Sequence, residues 1–202
     1  MNFEPRPYQL ALLRRAEKEN VIVFLETGSG KTLVAILLIN SILDNPSCLK
    51  RKCIFVVNQI LLVNQQGRVL RESTTHPVGL FHGHMSGSAE SWDKSAWESE
   101  YLKYDVMVMT AQIFLDHLRH AYVKLGDIGL LVFDECHHAR KSHPYNLIMR
   151  EFYFFTAVEE RPKVLGLTAS PIAVGVKKGH SEMRLHNQWL ELEQNLVSRR
   201  HF

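Results

Sequence analysis

Two short segments carry residues whose types and spacing could do chemistry. The first is Thr27-Gly28-Ser29-Gly30-Lys31-Thr32. Glycines at 28 and 30 admit backbone angles that turn successive N–H groups inward, toward an anion. Lys31 brings an ammonium to the mouth of that turn, and Thr32 a hydroxyl of the kind that ligates Mg2+. The apolar stretch Leu33–Leu43 follows, so a helix opens near Gly30 and its N-terminal dipole favours phosphate. The strict phosphate-loop pattern asks for glycine where Leu25 stands, which makes this a variant of it. The second segment is Asp134-Glu135-Cys136-His137, at the end of the apolar run Leu130–Phe133. A carboxylate there can hold Mg2+, and the next one can polarise an attacking water. Asp134 is therefore assigned to the metal and Glu135 to the general base. An acidic pair at a strand end is a weak signal alone. On the same sheet as a glycine loop ending in Lys-Thr, it points to nucleoside triphosphate chemistry.

For the two segments to meet, strands must deliver them to one sheet edge. The runs Val21–Leu25, Cys53–Val57, Val78–Phe81, Asp105–Thr110, Leu130–Phe133 and Lys163–Leu167 read as strands. Leu33–Leu43, Ile60–Leu70, Ala111–Tyr122 and Tyr145–Phe155 read as the helices between them. Continuous apolar strands alternating with helices predict a mostly parallel sheet covered on both faces, an open, doubly wound α/β domain. Ligands of such sheets sit outside the carboxyl ends of the strands, which is where both segments fall. His82–Ser91 and Ala173–His180 read as loops. Ser181–Val197 sets Leu185, Trp189, Leu192 and Leu196 at helical spacing, an amphipathic helix in want of a partner surface. The expected organisation is one domain over residues 1–172, then a loop and helix over 173–202.

The 202 residues suffice for one domain with a sizeable core. With 46% hydrophobic and 22% charged residues, the composition is that of a globular domain. A net charge of +3 permits a nucleic-acid partner without demanding one. No apolar run is long enough to span a bilayer and the N-terminus lacks a secretory signal, so no membrane association is expected. Cys48, Cys53 and Cys136 form no CxxC pair. That argues against a disulfide framework and a zinc ribbon, and for a reducing compartment, cytoplasm or nucleus. Cys136, His137, His138 and His143 lack a second ligand group at zinc spacing. His82 and His84 read as loop residues, and His137 as a hydrogen-bonding link from the nucleotide site to the next motif.

These residues, taken in order, resemble the superfamily 2 helicases. Gln9 in Arg6-Pro7-Tyr8-Gln9 resembles their adenine-recognising Q motif. Thr27–Thr32 resembles motif I, Asp134–His137 motif II and Thr168-Ala169-Ser170 motif III. LVNQQ, the Ser91-Trp92 to Trp97 segment, VMTAQIFLDHLR, LLVFDECHHARKSHPYNLIMREFY and LGLTASPI look like the N-terminal helicase domain of Dicer ribonucleases. The resemblance covers about residues 3–172. It implies a P-loop NTPase fold, the RecA-like three-layer sandwich, with ATP and Mg2+ as cofactors and double-stranded RNA as partner. It implies that Thr27, Gly28, Ser29, Gly30, Lys31 and Thr32 hold the nucleotide, and that Thr32 and Asp134 hold Mg2+. It further implies that His137, Thr168 and Ser170 relay nucleotide state, and that Asn58, Gln59, Thr110 and Gln112 touch RNA. Hydroxyls and amides at strand ends suit phosphate and sugar contacts rather than base reading.

The family places ATP between two RecA-like domains, the second supplying arginine fingers. This chain stops soon after motif III, so a second RecA-like domain or helicase partner is expected. Gln66-Gly67-Arg68 and Arg71 faintly resemble the finger motif, but they precede motif II and read as a surface helix with its arginines solvated or near RNA. The ribonuclease, PAZ and RNA-binding segments of a Dicer are not in the chain, so no RNA cleavage is expected. The alternative reading is a truncated, non-catalytic nucleotide- or RNA-binding protein. A different P-loop enzyme, such as a nucleotide kinase, would have no use for Gln9 upstream and Thr168-Ala169-Ser170 downstream.

Overall fold

The computed structural model describes residues 4–48, 52–82, 94–170 and 182–196. Its strands are Val21–Phe24 (β1), Lys52–Val57 (β2), Val78–Phe81 (β3), Val106–Thr110 (β4), Ile128–Phe133 (β5) and Lys163–Thr168 (β6). They form one sheet in the order β1-β6-β5-β2-β4-β3, and every pairing is parallel. Burial on both faces explains the unbroken apolar runs: all six residues of the central β5 are buried.

The helices are Pro7–Ala16 (α1), Lys31–Leu43 (α2), Ile60–Ser73 (α3), Lys94–Lys103 (α4), Ala111–Arg119 (α5), Pro144–Glu151 (α6) and Glu182–Leu196 (α7). They divide between the two faces of the sheet. On one face α1, α2 and α3 bury Ala16, Leu38, Ile39, Val63 and Leu70 against Phe55 and Val132. On the other, α4 to α7 bury Trp97, Phe114, Ile148, Met149, Leu192 and Leu196 against Met107 and Phe133. Each fully buried side chain of this size contributes about 1.5–3 kcal/mol. The expected three-layer sandwich is present.

Two helices were not anticipated. Pro7 stands at the first helical position of α1, where the missing N–H is no loss. Lys94–Lys103 has no apolar stripe in sequence, but its Trp97 is fully buried and donates from Nε1 to the Tyr122 carbonyl at 3.1 Å. Two helices end earlier than expected. After Arg119 the chain reverses through Ala121 (φ 55°), and the Tyr122 N–H returns to the His117 carbonyl at 2.9 Å. After Glu151 a 3-10 turn at Tyr153–Phe155 replaces helix, because Tyr153 turns inward and its hydroxyl accepts from Asn20 Nδ2 at 2.8 Å.

The last helix finds its partner surface on the domain itself. Leu192 and Leu196 are fully buried, Trp189 packs beside them, and Asn195 Nδ2 donates to the Ala139 carbonyl at 2.9 Å. The expected loops at 83–91 and 173–180, with Ser91, Trp92, His84 and the side chains of Cys48 and Leu185, lie outside the described residues. Among the described residues no helix is long and apolar enough to cross a membrane.

Candidate functional site

The strand order brings the glycine loop (after β1), Thr168-Ala169-Ser170 (after β6) and Asp134–His137 (after β5) to neighbouring positions on the carboxyl rim. The loop is built by Gly28 (φ 84°) and Gly30 (φ 82°), both in the left-handed region, with Gly30 capping α2. At Gly28 the front of the loop is open: an added Cβ meets no described atom within 4 Å. At Gly30 it would strike Gln9 Nε2 at 2.4 Å. Gln9 is buried; its Nε2 donates to the Ser29 carbonyl at 3.2 Å, and its Oε1 accepts from the Arg6 N–H at 2.8 Å. Tyr8 donates its hydroxyl to the same Ser29 carbonyl at 2.8 Å. Helix α1 therefore braces the loop from outside. Within it, Lys31 Nζ donates to the Leu25 carbonyl at 2.9 Å. Leu25, the departure from the strict pattern, continues β1 by donating its N–H to the Thr168 carbonyl at 3.1 Å. Thr27 is exposed, Ser29 is half-buried, and Thr32 sits half-buried in the first turn of α2.

Asp134 is buried, and both its oxygens are held. Oδ1 accepts from the Glu135 N–H at 3.1 Å and Oδ2 from Gln66 Nε2 at 3.0 Å. Burial, and next the Glu135 carboxylate beside it, push its pKa up to about 6, so it holds its proton more tightly than a free carboxyl. Glu135 goes the other way. The His137 ring is the main cause holding its carboxyl below the usual value, and the Ala169 N–H at 3.5 Å adds to it. The Lys31 ammonium favours the ionised form of both carboxylates, so the loop and the acidic pair converge. Glu135 has a left-handed backbone, φ 48° and ψ 51°, which is uncommon for a residue with a side chain.

His137 lies between Glu135 and β6. Its Nδ1 is 3.2 Å from Glu135 Oε2 and 2.9 Å from Thr168 Oγ1. Thr168 donates its hydroxyl proton to the Ser170 carbonyl at 2.5 Å and accepts from the Ser170 N–H at 3.1 Å. With that proton committed, Nδ1 must carry its own hydrogen to satisfy both Thr168 and Glu135. The four residues assigned to base and relay thus form one hydrogen-bonded chain. His143 caps α6 by accepting from the Tyr145 N–H at 3.2 Å. Burial, and then His138 and His137, push its basicity down to about 4. Its ring stacks on His138 with centroids 5.5 Å apart. Among the described residues no three His, Cys, Asp or Glu side chains converge to hold a metal ion. Mg2+ suits this site on other grounds: Thr32 and Asp134 are hard oxygen donors, and Mg2+ takes few protein ligands when phosphates supply the rest.

The residues expected at RNA gather one strand further along. Val57 pairs with Thr110 across β2 and β4, so Asn58 and Gln59 leave the rim beside Thr110 and Gln112. Gln59 and Gln112 are exposed, and Gln112 Nε2 donates to Asp116 at 2.9 Å. This set adjoins the acidic pair, since the Asp134 N–H donates to the Val56 carbonyl at 2.9 Å.

Two features escaped the sequence. Tyr145, fully buried on α6, reaches the Val56 carbonyl at 3.1 Å and the Asp134 carbonyl at 2.8 Å. Gln66, taken there for part of a surface helix, is buried on Asp134. Its neighbours are committed elsewhere. Arg68 is 83% exposed and paired with Glu72 at 3.0 Å, and Arg71 donates to the Val78 carbonyl at 3.1 and 3.2 Å. Only the Gln66 contact could have been suspected, from an amide at a helical position otherwise lined by Val63 and Leu70.

A glycine loop, an acidic pair and a Thr-Ala-Ser turn on one rim of a parallel sheet define a helicase ATP-binding domain. Residues 6–178 match the DEAD/DEAH box helicase family, to which the chain belongs. Its relatives are of Dicer type. It is 46% identical over 171 residues to Endoribonuclease Dicer homolog 1 of Arabidopsis thaliana, a match covering 84% of this chain and 9% of that protein. It is 43% identical over 175 residues to Dicer-like protein 1 of Neosartorya fischeri, covering 84% and 11% respectively. The crystal structure of the Pyrococcus furiosus Hef helicase domain matches with a TM-score of 0.74 at 27% identity, over 96% of this chain and 37% of that one. The chain spans about a tenth of the length of the Dicer relatives it matches.

Proposed function

We propose that the chain is the ATP-binding half of a Dicer-type RNA helicase or translocase, coupling ATP binding and hydrolysis to engagement of double-stranded RNA. The observation that carries this reading is the chain Glu135–His137–Thr168–Ser170, which ties the acidic pair to the turn after β6 beside the glycine loop. In this reading the loop N–H groups and Lys31 receive the β- and γ-phosphates, and Lys31 exchanges its bond to Leu25 for them. Gln9 keeps the loop in shape and offers the rest of its amide to adenine. Thr32 and Asp134 hold Mg2+, which when bound neutralises phosphate charge. Glu135, kept ionised, orients and polarises a water. Asn58, Gln59, Thr110 and Gln112 contact the RNA backbone, and the Val56 carbonyl shared with Asp134 and Tyr145 joins that set to the ATP site.

A second reading is a nucleotide- or RNA-binding unit with little turnover of its own. The commitment of Arg68 and Arg71 away from the site favours it, because neither stands where transferred charge develops. A second RecA-like domain would supply such arginines, and a missing finger costs about a thousandfold or more in turnover. Binding of a fluorescent ATP analogue and phosphate release with and without an RNA duplex separate the readings. The purified chain is expected to bind the analogue in a Lys31-dependent way and to hydrolyse ATP poorly. Efficient hydrolysis lost in Lys31→Ala would remove the need for a second domain, and unchanged analogue binding by that variant would sink the ATP-site assignment.

A further inference from the structure

The structure assigns a role to Gln66, as the residue that positions the Asp134 carboxylate for Mg2+; the inference rests on the reading of Asp134 as the metal carboxylate. Gln66 lies on α3, the helix that follows Asn58 and Gln59. It is 8% exposed, Asp134 is 6% exposed, and their contact at 3.0 Å is a buried hydrogen bond.

The backbone of Asp134 is fixed by the sheet: its N–H is on the Val56 carbonyl and its own carbonyl receives the Tyr145 hydroxyl. Those bonds leave the side-chain torsions free. The Glu135 N–H on Oδ1 and the Gln66 amide on Oδ2 stop that rotation. Each carboxylate oxygen has two lone pairs, so one donor on each still leaves one lone pair on each for a cation. An amide suits this task better than a basic side chain would. It orients the carboxylate without neutralising the charge that the cation needs. Leucine at 66 would pack equally well between Val63 and Leu70. A buried amide there is costly unless bonded, and Asp134 is the partner that satisfies it.

The test is a Mg2+ titration of fluorescent ATP-analogue binding to the full chain, with Gln66→Leu and Gln66→Asn beside Lys31→Ala. Leucine keeps the volume and removes the donor. Asparagine keeps the amide but falls one methylene short of Oδ2. Both variants are expected to need about tenfold or more Mg2+ for half-maximal binding, as when a partner of a metal ligand is lost. Their analogue binding in EDTA should match the wild type, which a merely structural loss would not preserve. Wild-type Mg2+ dependence in either variant, or loss of binding in EDTA as well, overturns the assignment to Gln66. Failure of the underlying reading looks different: Lys31→Ala would then bind the analogue as the wild type does, at every Mg2+ concentration.

Discussion

His117 offers a stability test whose size follows from its surroundings. The ring is 5% exposed, edge-on to Trp97 with centroids 3.9 Å apart, and flanked by Tyr122 at 5.8 Å. Burial pushes its basicity from the usual 6.5 down to about 4; the Ile113 carbonyl and Asp116 oppose this and His120 adds to it. A base with a depressed value in the folded state binds fewer protons there than when unfolded. Stability is therefore fully present above about pH 6.5, falls as pH drops below it, and levels off below about 4. At pH 5 the unfolded ring is almost always protonated and the folded ring in about one molecule in ten. The linkage cost relative to pH 7.5 is then about 2 kcal/mol, or about 4–8 °C in melting midpoint. Denaturant unfolding of the wild type and His117→Phe at both pH values gives the comparison. Other groups titrate in both proteins and cancel, so the wild type should lose about 2 kcal/mol more than the variant. Equal losses would refute the reasoning, whatever the variant's stability at pH 7.5.

Three further outcomes are expected. Gly30→Ala places a Cβ 2.4 Å from Gln9 Nε2 at a φ of 82°, so the melting midpoint should fall and ATP-analogue affinity drop severalfold; an unchanged loop would show up as wild-type affinity in the same titration. Gly67→Ala drives a Cβ to 2.0 Å from Leu80 Cδ2 and should cost about 1–3 kcal/mol in denaturant unfolding. Combined with Leu80→Ala it should cost less than the two single changes together. Leu192→Ala should cost about 2–5 kcal/mol, because the cavity opens inside the core shared with Met149; a loss under 1 kcal/mol would mean α7 is not seated on the domain.

The glycine loop and the acidic pair were legible because their chemistry is local: each is a few consecutive residues after an apolar run. The three-layer sandwich was legible for a similar reason, since runs such as Leu130–Phe133 make sense only buried on both faces. Strand order was not, because nothing local says that β2 lies between β5 and β4. Helix α1 was hidden by Pro7, whose meaning depends on whether it opens a helix or interrupts one. The burial of Gln66 could be suspected from its helical spacing with Val63 and Leu70, but its partner could not, being 68 positions away. Tyr145 shares that difficulty, as its hydroxyl matters only once β2 and β5 are neighbours.

The left-handed backbone of Glu135 puts two demands on one position. Carboxylates differ in how they meet them. Aspartate tolerates such a backbone better, but is one methylene shorter and would give up the reach to His137 and the Ala169 N–H. Threonine or valine would be excluded by the backbone alone. Glutamate has the reach, and is kept in a conformation that costs about 1 kcal/mol or more. Position 135 is thus locally less stable than it could be with asparagine or glycine. A screen of this domain for thermal stability alone would drift toward those residues and away from the carboxylate.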